Sequence, residues 1–262
     1  YEPGVNVEGS GRFGLSDINI RGINGDRVLI VLDNVPVADG FSFGPNLSAR
    51  RDFIDIDLIK QVEVIRGPAS TLYGSDAIGG VVSFVSKDPS DLVEEGESFA
   101  GRVKLGYVSS SEESFINGQL AGVADEWQWL INAGYRDTAE TETFFDSSQT
   151  GIAQQSANPQ DGSVENALVK IIWTPNDAHR LTVVGETFQS DAETQVTSDV
   201  GRVSRGVLTN ESLGDDERER ERFSVQYRYQ PHQGTSSFSS SMPSGLYRFS
   251  VDAYTQSSET VQ

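Results

Sequence analysis

Four groupings of reactive residues stand out along the chain, and each has a definite chemistry to offer. Gly9-Ser-Gly11-Arg-Phe-Gly14 carries the letters of a dinucleotide-binding loop, in which glycines let backbone amides approach a pyrophosphate. Such a loop must open a helix, whereas residues 15–21 alternate like a strand and run into Gly22. A glycine-rich turn between strands is therefore expected. Asp52, Asp55 and Asp57 could offer carboxylates to calcium, but the glycine and the terminal glutamate of an EF-hand loop are missing. Their alternation with Phe53, Ile54, Ile56 and Leu58 predicts a half-buried edge with the acids on a solvated face. The two histidines, His179 and His232, lie far apart beside turn residues, which predicts solvated turn positions and no metal site. Glu94-Glu95 and Asp215-Asp216 fall in polar stretches without a partnering base. Cysteine is absent, which removes thiolate ligands, cysteine nucleophiles and disulfides. No triad, phosphate cradle or glycosidase pair can be assembled, so neither an enzyme nor a resident cofactor is expected.

Charge narrows the partners. The 262 residues include 39 acidic and 20 basic side chains, a net charge of −19. A chain this acidic, without a compensating Lys/Arg cluster, repels nucleic-acid phosphates. The longest aliphatic run, Val28-Leu29-Ile30-Val31-Leu32, has the length of a strand and falls far short of the roughly 18–20 residues of a membrane-spanning helix. A β-barrel would hide its membrane signal in alternation instead.

The elements that must position any site fall into two textures. Up to about residue 90 the chain is rich in glycine, Ile and Val. Short strands are predicted at 18–21, 27–32, 61–66 and 81–86, separated by Asn24-Gly25-Asp26, Asp33-Asn34, Arg66-Gly67-Pro68 and Ile78-Gly79-Gly80. From residue 99 the pattern becomes longer and alternates with period two. In 127–136 one face reads Trp127, Trp129, Ile131, Ala133, Tyr135; the other reads Gln128, Leu130, Asn132, Gly134, Arg136. Comparable segments at 101–108, 115–122, 164–173, 180–189, 221–230 and 246–254 bring the predicted strands in this half to seven. A soluble sandwich also alternates. Two features favour a transmembrane barrel. Aromatics (Trp127, Tyr135, Trp173, Phe223, Tyr229, Tyr247) sit near strand ends, where an interfacial girdle would place them. Short turns at Asp125-Glu126 and 174–179 also contrast with long polar connections at 137–163 and 190–220. The Ser-rich connection 231–245 departs from that order.

Three stretches carry a family resemblance. They are Ile18-Asn-Ile-Arg-Gly22, Gly25-Asp-Arg-Val-Leu-Ile-Val-Leu-Asp-Asn-Val-Pro-Val37 and Ile59-Lys-Gln-Val-Glu-Val-Ile-Arg-Gly-Pro-Ala-Ser-Thr-Leu-Tyr-Gly-Ser-Asp-Ala-Ile-Gly-Gly-Val-Val82. In order and spacing they resemble the plug of TonB-dependent outer-membrane receptors. The resemblance implies a mainly β chain: a small mixed plug domain at 1–90, a linker at 91–98, and antiparallel transmembrane β-barrel strands at 99–262, with the barrel incomplete. Plugged transporters of this kind have about 22 strands.

The same resemblance implies function. Such receptors take up bulky, scarce nutrients across the outer membrane of Gram-negative bacteria, driven by TonB. The TonB-binding segment and a signal peptide are expected before Tyr1, and outer-membrane lipid is expected around the strands. Residues 9–14 with 25–32 are most similar to the heme and hemoglobin receptor branch, so heme or a hemoprotein is the favoured cargo and an iron siderophore the next; residues 73–82 are also similar to cobalamin receptors. Two plug loops should face outward and bind ligand through Arg12, Phe13, Phe41, Phe43, Asn46, Arg50 and Arg51, whose rings and guanidinium groups suit a flat anionic cargo. Arg21 and Arg66, each before a glycine, are expected to lock the plug by pairing with barrel-wall carboxylates. A secreted or surface β-rich binding or adhesin module without transport is the alternative. It predicts apolar strand faces packed on each other rather than on lipid.

Overall fold

The computed structural model describes residues 3–10, 14–37, 54–144, 149–204, 206–230 and 249–261. The first third holds two small sheets. Strands β1 (Val5–Ser10) and β2 (Gly14–Ile20) form an antiparallel hairpin, so the glycine-rich letters at 9–14 lead from one strand to another and open no helix. Strands β3 (Val28–Leu32), β4 (Val35–Pro36), β5 (Ile59–Arg66) and β6 (Gly80–Ser86) form a sheet of order β4-β3-β6-β5, with β3 and β6 parallel. All five residues of β3 are buried, which explains its unbroken apolar run: a central strand covered on both faces has no polar side. Val28, Ile30 and Leu32 pack with Ile18, Ile20 and Val82; Leu29 and Val31 face the opposite way onto Ala69, Ala77 and Val81. Asp33 and Asn34 turn the chain from β3 into β4, both at positive φ (50° and 67°), as a two-residue hairpin of this hand requires. The one-turn helix α1 (Ser70–Tyr73) lies between β5 and β6. Gly80 opens β6 under close constraint. A Cβ there would press on the Ile65 carbonyl oxygen and come within 2.8 Å of Ile20 Cδ1.

The seven long strands predicted beyond residue 99 all form. They are β7 (Phe99–Val108), β8 (Glu113–Ala124), β9 (Trp127–Ala139), β10 (Gln160–Asn176), β11 (His179–Gln195) and, after the small hairpin of β12 (Val203–Ser204) with β13 (Val207–Leu208), β14 (Leu213–Tyr229) and β15 (Phe249–Val261). They pair antiparallel in chain order into one sheet, hereafter the wall. Its two faces differ as the alternation predicted. Outward stand Val103, Leu105, Ile116, Leu120, Trp127, Ile131, Tyr135, Val169, Ile171, Phe223 and Val251, all exposed and met by no second sheet among the described residues. Inward, Ala121, Leu130, Leu168 and Val184 close on Leu58 and Val93, while Phe188 joins the plug core around Ile20 and Ile30. The core therefore lies between the small sheets and one face of the wall, and among the described residues the dry two-sheet sandwich of the adhesin alternative is not formed.

Two expectations need correction. The long connections are shorter than predicted, 140–159 and 196–212, because β9, β10, β11 and β14 continue past their apolar segments. In the upper part of β14 the acids Asp215, Glu217, Glu219 and Glu221 point out while Asp216, Arg218, Arg220 and Arg222 are buried, so the ladder persists where apolar alternation ends. His179 is not a solvated turn residue. It opens β11 half-buried, with Nδ1 2.6 Å from the Tyr227 hydroxyl and its ring 5.0 Å from that of Tyr229. Trp127 and Trp173 stack nearby in chain register, their centroids 5.8 Å apart, so aromatics do gather at the short-turn end as a girdle. His232, Tyr247 and the whole 231–245 connection lie outside the described residues.

Within the described residues β7 and β15 each pair on one side only, and even the smallest single-chain bacterial barrels need about eight strands. Expressed alone, this 262-residue segment is expected to lack the heat-dependent gel mobility of a closed barrel; a folded band that shifts on boiling would contradict this. In the full-length protein, Gly80→Ala should destabilise the β4-β3-β6-β5 sheet by about 2–4 kcal/mol, read as an earlier transition of that sheet in calorimetry, because the clash is with backbone.

Candidate functional site

The contact between plug and wall is where buried polar chemistry concentrates. Four plug aspartates lie in it, and each meets a different part of the wall. Asp33 sits at positive φ in the β3–β4 turn, with its carboxylate between the end of β6 and the wall. It accepts from Ser86 N (2.9 Å), Ser86 Oγ (2.7 Å) and Arg222 Nη2 (3.2 Å). Arg222 also donates to the Leu32 carbonyl (2.7 Å) and, through Nε, to Glu186 (2.8 Å); Glu186 in turn takes Arg220. The Arg222 and Glu186 side chains are 0% and 1% exposed. Buried charges of this kind persist only when paired, and here the pairing runs across two domains. Burial pushes the Asp33 carboxyl up, but Lys170, Arg222 and Ser86 together outweigh burial and hold it below the ordinary carboxylate range.

Asp88 follows β6 and draws two wall cations. Lys170 Nζ reaches it at 3.1 Å, and Arg180 Nη2 at 2.7 Å. Lys170 also donates to the Ser86 carbonyl at 3.3 Å.

Asp55 and Asp57 form the third contact, which corrects the expectation of a solvated acidic face. Asp55 caps the single turn Ile56–Leu58 by accepting from Asp57 N (2.7 Å), and its other oxygen accepts from Asn166 Nδ2 (2.5 Å). Behind Asn166 runs a ladder of buried carboxamides across three strands: Asn132 Nδ2 donates to Asn166 Oδ1 at 2.9 Å, and Gln119 Nε2 to Asn132 Oδ1 at 3.0 Å. Gly134 makes room for it, since a Cβ there would stand 2.7 Å from Asn166 Nδ2 and 2.9 Å from Asn117 Nδ2. Asp57 takes Lys104 at 2.7 Å on its carboxylate, with Lys87 (2.6 Å) and Gln119 (2.8 Å) on its carbonyl; Arg136, 3.8 Å away, leans mainly on Glu113. Burial raises the Asp55 carboxyl above its usual range; Arg136 and Lys104 offset this only in part. Burial, reinforced by Arg102 and Lys104, lowers the Lys87 ammonium. Asp52 lies outside the described residues.

In these contacts the acids stand on the plug side and the cations on the wall side, and the predicted lock residues lie elsewhere. Arg21 is exposed at the end of β2, its backbone N–H bonded to the Gly4 carbonyl (2.8 Å), and Arg66, also exposed, donates to the Pro3 carbonyl (3.1 Å). The candidate ligand residues Arg12, Phe13, Phe41, Phe43, Asn46, Arg50 and Arg51 all lie outside the described residues. Sequence reasoning missed Asp33, Asp88, Lys170, Arg180 and Arg222 as partners. The available signal was parity: Arg136 and Arg222 fall on the face opposite the outward aromatics of their strands.

A small sheet pinned by charge to the inward face of a wall with an apolar outer face defines a plugged β-barrel architecture. Residues 1–81 match the family described as TonB-dependent Receptor Plug Domain. The chain is 30% identical over 201 residues to a probable hemoglobin and hemoglobin-haptoglobin-binding protein of Haemophilus influenzae, covering 72% of this chain and 20% of that protein. It is 28% identical over 214 residues to a hemin receptor of Yersinia pestis, covering 80% and 29%. The solved structure of the FrpB iron transporter from Neisseria meningitidis superposes with a TM-score of 0.76 at 20% identity, covering 99% of this chain and 37% of that one. The chain belongs to the TonB-dependent receptors, and it spans about a fifth to a third of the length of the curated relatives it matches.

The two contrasting aspartates predict opposite pH behaviour in the full-length receptor. Asp33, held low, contributes stability that is present at neutral pH and lost only as pH falls through its lowered value. Asp55, held high, contributes stability that is present at acid pH and lost as pH rises through its raised value. Asp33→Asn should therefore cost about 2–4 kcal/mol at pH 7 by leaving Arg222 short of its partner. Asp55→Asn should remove the dependence just above the ordinary carboxylate range, while its NH2 forfeits one of the two bonds that the Asp55 oxygens accept. Thermal midpoints of the plug transition from about pH 2 to about pH 8 check both signs.

Proposed function

We propose that the receptor of which this chain forms part imports heme, or iron drawn from a hemoprotein, across the outer membrane of a Gram-negative bacterium. In this reading residues 1–90 are the plug, 91–98 the linker and 99–262 the first staves of the barrel. The observation that carries it is a stopper bound to its wall through ions and amides as well as apolar contact. Contacts bordering water can be exchanged for water during opening, whereas a fused dry core would have to be torn apart. Energy coupling is assigned to TonB, acting on a segment ahead of Tyr1. Cargo recognition is assigned to Arg12, Phe13, Phe41, Phe43, Asn46, Arg50 and Arg51, and Arg21 and Arg66 are assigned to carboxylates on later staves of the wall. Relatives that bind hemoglobin or hemin support the choice of cargo. No bond in the cargo is made or broken in this scheme.

A hemin difference spectrum of the full-length receptor tests the cargo. A Soret shift at micromolar hemin, weakened by Phe41→Ala with Phe43→Ala, is expected. An unchanged Soret band, together with growth on a ferric siderophore, would transfer the assignment to siderophore iron.

A further inference from the structure

Between the plug sheet and the wall lies a polar fissure of about 300 Å³. Asp33, Ser83 and Ser86 line it from the plug, and Lys170, Thr182 and Ser224 from the wall. That volume holds roughly ten waters at about 30 Å³ each, and its lining supplies the polar partners they need. The rest of the described contact is different. Above the fissure Phe188 is sealed into the plug core, and beside it Leu58 and Val93 close against Ala121, Leu130 and Leu168. Separating those dry patches would expose apolar surface, whereas widening the fissure exposes groups that already border water. Its lower end reaches Arg180 and Arg228, cross-strand partners one position inside His179 and Tyr229 at the short-turn edge. Its upper end is closed by the bonds from Arg222 to Asp33 and the Leu32 carbonyl.

The charges in the fissure are divided by side. The carboxylates, Asp33 and Asp88, belong to the plug; the cations Lys170, Arg180 and Arg222 belong to the wall. Displacement of the sheet strips Lys170 and Arg180 of the Asp88 carboxylate each is paired with, while Arg222 loses Asp33 and keeps only Glu186 of the wall. We propose that this fissure is the exit passage, and that Lys170, Arg180 and Arg222 take over the carboxylates of an anionic cargo as Asp33 and Asp88 withdraw. At rest the plug aspartates occupy the positions those carboxylates will use, so the wall cations are never left buried without a counter-charge. The inference rests on the proposed transport function and adds the route and the charge class of the cargo that takes it.

Two measurements on the full-length receptor in cells test it. Thr182→Cys and Ser224→Cys are near-isosteric and line the fissure; Ala121→Cys faces a dry patch. During cargo uptake, a hydrophilic maleimide in the periplasm should label both fissure positions about tenfold faster than in de-energised cells (about 1.4 kcal/mol of opening free energy), and Ala121→Cys should not change. Unchanged labelling at both fissure positions, or equal acceleration at Ala121→Cys, overturns the route. For the charge class, Lys170→Gln combined with Asp88→Asn removes both signs together. Uptake of hemin should fall severalfold while hemin binding stays intact; unaltered uptake overturns the takeover. If the parent receptor imports neither hemin nor a ferric siderophore, the transport function itself fails, which is distinct from normal uptake with a silent fissure.

Discussion

A carboxylate removed from water must find donors nearby, and in this molecule the plug finds them on the wall. Asp33 illustrates the demand. Ser86 of its own sheet supplies two bonds, and the wall supplies Arg222 of β14 with Lys170 of β10 nearby, so the set is complete only where the plug turn meets these two strands. Apolar contact seals the interface but is nearly indifferent to small slides, because area burial carries no direction. Hydrogen bonds to charged groups do carry direction. Electrostatics therefore sets where the plug sits, and the clusters around Phe188 and Leu58 set how tightly water is excluded around that position.

The same residue type behaves in opposite ways at two ends of this contact. Asp33 faces cations and is held ionised. Asp55 meets mainly a chain of neutral amides, Asn166, Asn132 and Gln119, with Lys104 and Arg136 too weakly placed to offset its burial. An amide ladder positions a carboxyl without insisting on its charge. The ladder depends on a missing side chain, since Gly134 lies in register between Asn117 and Asn166 and leaves the space that their carboxamides fill.

The strands were legible because their cause is local. Unbroken Val28-Leu29-Ile30-Val31-Leu32 announced a central plug strand, and the Trp127 and Phe223 rows announced a wall with one apolar face. Upper β14 has the composition of a loop because Asp, Glu and Arg have little strand preference, although acid outside and arginine inside is itself a period-two pattern. The partners across the contact were not legible in the same way. Arg222 and Asp33 are 189 residues apart, and no window of sequence relates a turn aspartate to a strand arginine at that distance. Parity could nominate Arg136 or Arg222 as inward-facing but could not name what they would meet.

The reach of β14 beyond its apolar rows has a consequence for the whole receptor. Its 17 residues measure about 53 Å at roughly 3.3 Å per step, and a tilt near 40° brings that to about 40 Å of height against an apolar band near 25 Å. Above Phe223 the outer surface carries Glu221, Glu219, Glu217 and Asp215, none of which can be submerged in hydrocarbon at small cost. Together with the stacked Trp127 and Trp173 at the opposite edge, these acids act as a waterline. In the proposed outer-membrane setting they would fix the draught at which the molecule floats and raise its mouth as a stiff parapet above the lipid headgroups.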